Sequence, residues 1–128
     1  MENQQPLVEL EYKPQATILT ILTDYLMEEA AISKLRDTIE PIIMEKPALP
    51  LIMDFNNVRA LCSSAIGYLV ALKKRIESQQ GRLIICCVQD KVKGSANDKF
   101  IYEIFKVVKL DRYFEIRPSV EAALRLLT

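Results

Sequence analysis

Two adjacent serines, Ser63 and Ser64, stand where a short loop meets the start of a predicted helix. A serine at a helix start has two roles open to it. Its hydroxyl can accept a hydrogen bond from a free N–H of the first turn, which makes it the N-cap, or it can be presented to an enzyme that modifies it. The sequence predicts that Ser63 or Ser64 is the N-cap. Position alone does not choose between a cap and a modified hydroxyl.

This chain lacks the residues and motifs on which many catalytic mechanisms depend. The sequence contains no histidine, and its three glycines do not form a phosphate-binding loop. The three cysteines lack metal-ligand spacing. Asp54 stands alone at a predicted strand end, where we expect its side chain to hydrogen-bond the loop backbone. We therefore predict no enzymatic activity, no catalytic residues, no metal and no cofactor.

The serines are flanked by a predicted strand and a predicted helix. The strand covers about residues 50–55, whose apolar run is bounded by proline. The helix covers about 64–80, and we expect it to pack on a sheet through Leu69, Leu72 and Ile76. Its full apolar stripe consists of Ala65, Leu69, Leu72 and Ile76, widened by Ile66 and Val70. Gly81 is predicted to supply the left-handed residue that ends this helix.

Further elements alternate along the rest of the chain. An edge strand at 7–12 is predicted to pair antiparallel with a strand at 16–22, and two more strands are predicted at 82–88 and 113–116. Helices are predicted at 28–44, 99–109 and 119–127, with Pro41 breaking or kinking the first and Ser119 capping the last. This order predicts the α/β class: a mixed β-sheet of about five strands with helices packed on it.

Length and composition favour one globular domain. The 128 residues are 50% hydrophobic, and 17 acidic residues balance 17 basic residues. The chain therefore has no net charge that would attract it to nucleic acid or to anionic lipid. We see no signal peptide and no apolar run of membrane-spanning length, so we expect a cytoplasmic protein without membrane insertion. The polar stretch at 89–98 is predicted to be an exposed, mobile surface loop.

Five stretches in the same order resemble the STAS domain, the family of bacterial anti-sigma-factor antagonists and sulphate-transporter tails. They are Met53-Asp54-Phe55-Asn56-Asn57-Val58, Cys62-Ser63-Ser64-Ala65-Ile66-Gly67, Gly81-Arg82-Leu83-Ile84-Ile85-Cys86-Cys87-Val88, Leu110-Asp111-Arg112-Tyr113-Phe114 and Ser119-Val120-Glu121-Ala122-Ala123-Leu124. The resemblance implies a single STAS domain over residues 1–128, with its core at about 8–127.

The chain also departs from the family pattern. Cys62 replaces the usual aspartate before the serines, and Ala65 replaces the usual glycine after them. The segment Asp24-Tyr25-Leu26-Met27 replaces an early Gly-Glu-Leu-Asp turn, and the stretch at 89–99 is longer than usual. The chain is thus identified as a divergent member, in which the fold carries over more securely than phosphorylation.

The resemblance implies an anti-sigma factor antagonist that works by partner switching. Such a protein binds an anti-sigma factor with serine kinase activity, is released when phosphorylated on a serine, here Ser63 with Ser64 as runner-up, and is reset by a phosphatase. It contacts no nucleic acid directly, and the sequence leaves a homodimer open. The implied partner-binding residues are Asp54, Asn56, Asn57, Leu61, Cys62, Ala65, Ile66 and Tyr68. The alternative is a STAS subunit that docks on the ATPase of an ABC-type lipid transport complex without phosphorylation.

Overall fold

A five-stranded mixed sheet organises the molecule. The computed structural model describes residues 6–26, 28–88, 109–110 and 112–127. The sheet consists of β1 (Val8–Lys13), β2 (Ala16–Ile21), β4 (Leu51–Asp54), β6 (Leu83–Cys86) and β7 (Glu115–Arg117), in that order across the sheet. The edge strand β1 pairs antiparallel with β2, and every later pairing is parallel. The predicted α/β class, the strand count and the antiparallel edge pair are confirmed.

Strict alternation along the central strands gives the sheet two apolar faces. In β4, Leu51 and Met53 belong to one core cluster and Ile52 to the other. The same alternation in β6 places Leu83 on the first face and Ile84 on the second. A strand that is buried on both faces is apolar at nearly every position, which is why these runs are continuous rather than amphipathic.

Two helices, α1 (Glu29–Glu45) and α2 (Ser63–Ser78), cover the larger of the two core clusters. The predicted stripe of α2 is confirmed, since Leu69, Leu72 and Ile76 are at most 3% exposed. Helix α1 packs through its own apolar positions, which are Ile32, Leu35, Ile39 and Ile43. The third helix among the described residues, α3 (Val120–Leu126), contributes Ala123 to the cluster on the opposite face.

Pro41 does not break α1, so that part of the prediction was wrong. The helix continues to Glu45, and the N–H of Lys46 still bonds the carbonyl oxygen of Ile42 at 3.1 Å. Proline removes one helical hydrogen bond. Here the residues on either side of it, Ile39 and Ile43, are buried in the core and hold both halves of the helix against the sheet.

The C-terminus of α2 also differs from the prediction. The left-handed residue is Gln80, with φ 65°, and not Gly81. Hydrogen bonds from Gln80 N–H to Glu77 O and from Gly81 N–H to Ile76 O complete a Schellman motif. Gly81 is required for space instead, because a Cβ there would lie 2.5 Å from the carbonyl oxygen of Pro47.

The remaining predictions divide into confirmed and untested ones. The cap at Ser119 is confirmed, since its hydroxyl accepts a hydrogen bond from the N–H of Ala122 at 3.1 Å. The final helix and the last strand occur within two residues of their predicted bounds. The loop predicted at 89–98 and the helix predicted at 99–109 lie outside the described residues, apart from Lys109.

Candidate functional site: the serine turn before α2

The segment between β4 and α2, residues 55–62, is anchored by apolar side chains at every third position. Phe55 and Val58 are each 1% exposed, and Leu61 is 5% exposed. The N–H of Val58 bonds the carbonyl oxygen of Phe55 at 3.0 Å, which closes a tight turn. Asn56, Asn57 and Arg59 are left exposed between these anchors. A polar loop is thereby fixed on the protein surface at the carboxyl end of β4.

Asp54 has the role that was predicted for it. One of its carboxylate oxygens accepts a hydrogen bond from the N–H of Asn56 at 2.9 Å, which is an Asx turn. The side-chain amide of Asn57 donates to the carbonyl oxygen of Ile21 at 3.4 Å and so reaches the end of β2. Both side chains therefore shape the exit from the sheet.

A second, two-stranded sheet holds the serine turn from the other side. In it, β3 (Tyr25–Leu26) runs parallel to β5 (Ala60–Leu61). Backbone bonds from Arg59 and Ala60 to the carbonyl oxygen of Asp24, at 2.6 and 3.2 Å, extend this pairing. The turn is thus tied by main-chain hydrogen bonds to the segment that leads into α1.

The N-cap of α2 is Cys62, so the prediction of a serine at this position was wrong. Cys62 has extended backbone dihedrals, and its carbonyl oxygen accepts the first helical hydrogen bond from Ile66 at 3.1 Å. Ser63 and Ser64 are the first two helical residues, and both are exposed. Sequence patterns rarely settle a helix boundary to one residue, and β5 holds the preceding residues extended up to Leu61.

Among the described residues, nothing compensates the positive end of α2. The side chain of Cys62 makes no capping hydrogen bond, and the first turn contains no acidic residue. Within the described part of the chain, no atom accepts a hydrogen bond from the N–H groups of Ser63, Ser64 and Ala65. Free first-turn N–H groups and the helix dipole together favour an anion at this position.

The two serines lie beside different surfaces. Ser64 lines a cavity of about 470 Å³ between α1 and α2, together with Tyr68 and Arg36. Ser63 is not part of that lining. One helical turn further along the same side of α2 is Gly67, which is exposed and also not part of that lining. A molecule approaching Ser63 therefore meets the small residue Gly67 beside it on α2.

Tyr68 faces α1. The guanidinium of Arg36 lies 5.3 Å from the centre of its ring, within cation–π range. Its hydroxyl is buried, and no described residue hydrogen-bonds it. Burial, with a smaller contribution from the nearby Glu40 carboxylate, raises the pKa of Tyr68 to about 12. The phenol therefore stays neutral at physiological pH.

The eight predicted partner-binding residues lie between the end of β4 and the second turn of α2, but not all of them reach the surface. Leu61 and Ala65 are core residues, at 5% and 1% exposed. Asn56 and Asn57 are exposed. The half-buried members are Asp54, Cys62, Ile66 and Tyr68.

Sequence reasoning did not include Asp24 and Tyr25 in this surface. Tyr25 is 53% exposed and lies beside Ala60 in the two-stranded sheet. The feature of the sequence that could have indicated them is the replacement of the family's early turn by residues 24–27, because turns usually lie on the surface. An exposed aromatic side chain next to the serine turn adds apolar area to any contact made there.

The described ranges contain neither a metal-binding cluster nor a membrane-spanning helix. No group of three or more acidic, cysteine or histidine residues is placed to hold a metal ion among residues 6–26, 28–88, 109–110 and 112–127. In the same ranges, no helix has the length and apolar character needed to cross a membrane.

The family model of the STAS domain matches residues 8–123. Among solved structures, an anti-sigma-factor antagonist (STAS) domain protein from Planctomyces limnophilus has a TM-score of 0.76 at 19% identity, over 94% of this chain and 97% of that one. An anti-sigma factor antagonist from Mycobacterium paratuberculosis has a TM-score of 0.71 at 16% identity, over 94% and 92%. The Bacillus cell fate determinant SpoIIAA in its phosphorylated form has a TM-score of 0.64 at 18% identity, over 93% and 98%. No curated protein matches this chain in sequence.

Proposed function

Because the chain belongs to the STAS domain family, we propose that it is a non-enzymatic anti-sigma factor antagonist that acts by partner switching in the cytoplasm. In this proposal the unphosphorylated protein binds an anti-sigma factor with serine kinase activity through the serine turn. The kinase then phosphorylates Ser63, the partner dissociates, and a phosphatase restores the binding form. Similarity to solved anti-sigma factor antagonists supports the class of partner.

The observation that carries the proposal is the position of Ser63. It is the exposed first residue of α2, beside three backbone N–H groups from which no described atom accepts a hydrogen bond. A phosphoryl group there adds about −1.5 to −2 charges at the positive end of a helix, so the fold accommodates it. Ser64 lines the α1–α2 cavity instead, which supports Ser63 as the residue presented to a kinase.

The same phosphate would release a partner for electrostatic reasons. The exposed neighbours of Ser63 on α2 are small, and Cys62 and Ile66 beside it are half-buried apolar residues. A partner that covers this face removes water from it. A phosphate enclosed in such an interface loses its hydration, and apolar neighbours provide no positive group to compensate, so binding weakens. The phosphate therefore leaves the fold of the free protein intact but lowers its affinity for the partner.

The proposal is tested by incubating the protein with ATP and its cognate anti-sigma kinase, followed by mass spectrometry of the intact chain and its peptides. We expect one phosphate, located on Ser63, and none on a Ser63→Ala variant. Phosphate on Ser64 alone would move the site by one residue. No phosphate with a demonstrably active kinase would overturn partner switching and leave the alternative of a docking subunit on a transporter ATPase.

A further inference from the structure

The outer edge of β1 presents unpaired backbone groups in a defined pattern. The N–H of Leu22 bonds the carbonyl oxygen of Leu7 at 2.8 Å. That bond sets the phase of the antiparallel β1–β2 ladder, in which bonded and non-bonded positions alternate. Odd-numbered residues of β1 therefore bond β2, and Val8, Leu10 and Tyr12 direct their N–H and C=O groups outward. In the described part of the chain nothing takes up these groups.

Side chains on the two faces of this edge differ in character. Glu9 and Glu11 are exposed on one face, where Lys13 lies 3.1 Å from Glu11. Val8 and Leu10 lie on the other face and pack against the main core. An added strand would continue this alternation, because side chains directly opposite each other across a ladder lie on the same face.

A cavity on the apolar side adjoins the edge. It has a volume of about 370 Å³ and lies between β1 and the C-terminal half of α1. Leu10, Tyr12, Pro41 and Ile42 form its apolar part, and Thr17, Thr38, Glu45 and Lys46 line the rest. Tyr12 itself is 66% exposed. An apolar side chain from an added strand, placed opposite Leu10 or Tyr12, would point toward this cavity.

A second copy of the chain fits this edge poorly in the full-length register. In an antiparallel pair of copies, the outward-bonding residues must face one another, so the full-length register centres Leu10 on Leu10. That register sets Glu9 of each copy directly opposite Glu11 of the other. Like charges directly opposite destabilise a strand pair. A shift of two residues in one direction shortens the ladder to about three residues, the lower end of usual strand lengths. The opposite shift sets Glu11 opposite Glu11 and Glu9 of each copy opposite Lys13 of the other. Its charges therefore favour the pair less than a strand with basic residues opposite both glutamates.

We propose that β1 is a docking edge for an extended segment of a partner protein in which two basic residues, spaced two apart, alternate with apolar residues. The main chain of the segment bonds Val8, Leu10 and Tyr12 by strand addition. Its basic side chains meet Glu9 and Glu11, and its apolar side chains enter the cavity beside α1. This surface shares no residue with the serine turn, so it adds a second interaction to the one proposed for Ser63.

A titration with two capped hexapeptides tests the proposal on the intact protein. One peptide alternates lysine with valine, and the control alternates glutamate with valine. We expect about tenfold tighter binding of the lysine peptide, since two charge pairs change from attractive to repulsive. We also expect the lysine peptide to slow amide exchange at Val8, Leu10 and Tyr12 and to leave Glu9 and Glu11, already bonded to β2, unchanged.

Two variants separate strand addition from general charge attraction. Tyr12→Pro removes an outward N–H that β2 does not use, and proline is tolerated with that side facing solvent. It should weaken lysine-peptide binding at least tenfold, whereas Tyr12→Val should not. The double change Glu9→Lys with Glu11→Lys should reverse the preference, so that the glutamate peptide binds more tightly. If Tyr12→Pro does not fold, this double variant and the amide exchange test the proposal. Equal affinity for both peptides, unchanged exchange at the three outward amides, or a wild-type dimer formed through β1 would overturn the proposal.

Discussion

The backbone N–H of Cys62 donates a hydrogen bond to the carbonyl oxygen of Leu26 at 3.1 Å. This bond links the N-cap of α2 to β3, and it does not involve the side chain of Cys62. The start of α2 is therefore positioned by main-chain pairing and by the buried anchors Phe55, Val58 and Leu61. The family's acidic residue before the serines is not needed to place Ser63, which explains how cysteine is accommodated there.

An acidic residue at position 62 should still stabilise the helix. The Cys62→Asp change supplies a carboxylate that can accept from a free first-turn N–H and that complements the helix dipole. We expect an increase of about 0.5–2 kcal/mol in the free energy of unfolding, measured by urea denaturation. Cys62→Ser should give a smaller gain in the same direction, and Cys62→Ala should give none. A decrease with aspartate would contradict the N-cap assignment.

The buried face of α2 should dominate its contribution to stability. Leu69 and Leu72 are 0% and 3% exposed. Changing either to alanine should cost about 2–5 kcal/mol, because it removes apolar contacts and leaves a cavity. Lys74→Ala, on the exposed side of the same helix, is the control and should change stability by less than about 0.5 kcal/mol. A cost below about 0.5 kcal/mol at both leucines would contradict the packing of this face on the sheet.

Gly67 offers a test that separates folding from binding. It is an exposed residue inside α2, and a Cβ built there meets no heavy atom within 4 Å. Gly67→Ala should therefore stabilise the free protein by about 0.5–1 kcal/mol. Ala71→Gly, an exposed position one turn further along α2, should lower stability by a similar amount and sets the scale.

The same Gly67→Ala variant should bind the anti-sigma partner more weakly, because its added methyl group stands on the face that begins at Ser63. Partner affinity measured by calorimetry checks this point. Stabilisation without any loss of affinity would show that the partner does not approach α2 closely at Gly67.

The ion pair between Arg82 and Glu115 predicts a specific pH dependence. Arg82 Nε donates to Glu115 Oε1 at 2.8 Å, and this hydrogen bond holds the pKa of Glu115 below its ordinary value of 4.5. The folded-state pKa is the lower one, so the pair stabilises the fold above about pH 4.5 and its contribution is lost as the pH falls through the folded-state pKa.

We therefore expect Glu115→Gln to be less stable than the wild type near pH 7 and the difference to shrink near pH 3 or below. Thermal unfolding at several pH values measures it. Glu9→Gln, at the opposite edge of the sheet, serves as the control for a general charge effect. A difference that grows as the pH falls would contradict the assigned direction of the shift.

The sheet and α2 could be predicted because each depends on one strong local pattern. The continuous apolar runs at 51–53 and 83–86 and the helical stripe through Leu69 and Ile76 leave few alternatives. The ends of α2 could not be predicted as well, because tertiary contacts decide them. Pairing of β5 with β3 keeps the chain extended up to Leu61, and the approach of Pro47 requires glycine at position 81.

The sequence did not indicate which of the eight candidate site residues are exposed. Motif order placed eight residues around one turn, yet it could not show that Leu61 and Ala65 face the core. Two-residue strands such as β3 have too few residues for a periodic signal, so the contribution of Tyr25 was not predicted. The turn at Asp54 was predicted correctly, because an Asx turn depends on residues only two positions apart.

The most direct test of the central claim compares partner affinity among variants at the two serines. Isothermal titration of the cognate anti-sigma kinase should show that Ser63→Asp weakens binding at least tenfold. Ser63→Asn has a similar size without the charge and should bind within about threefold of the wild type, as should Ser64→Asp, one residue further along. Equal affinity of Ser63→Asp and Ser63→Asn, or a larger loss with Ser64→Asp, would contradict a charge switch at Ser63.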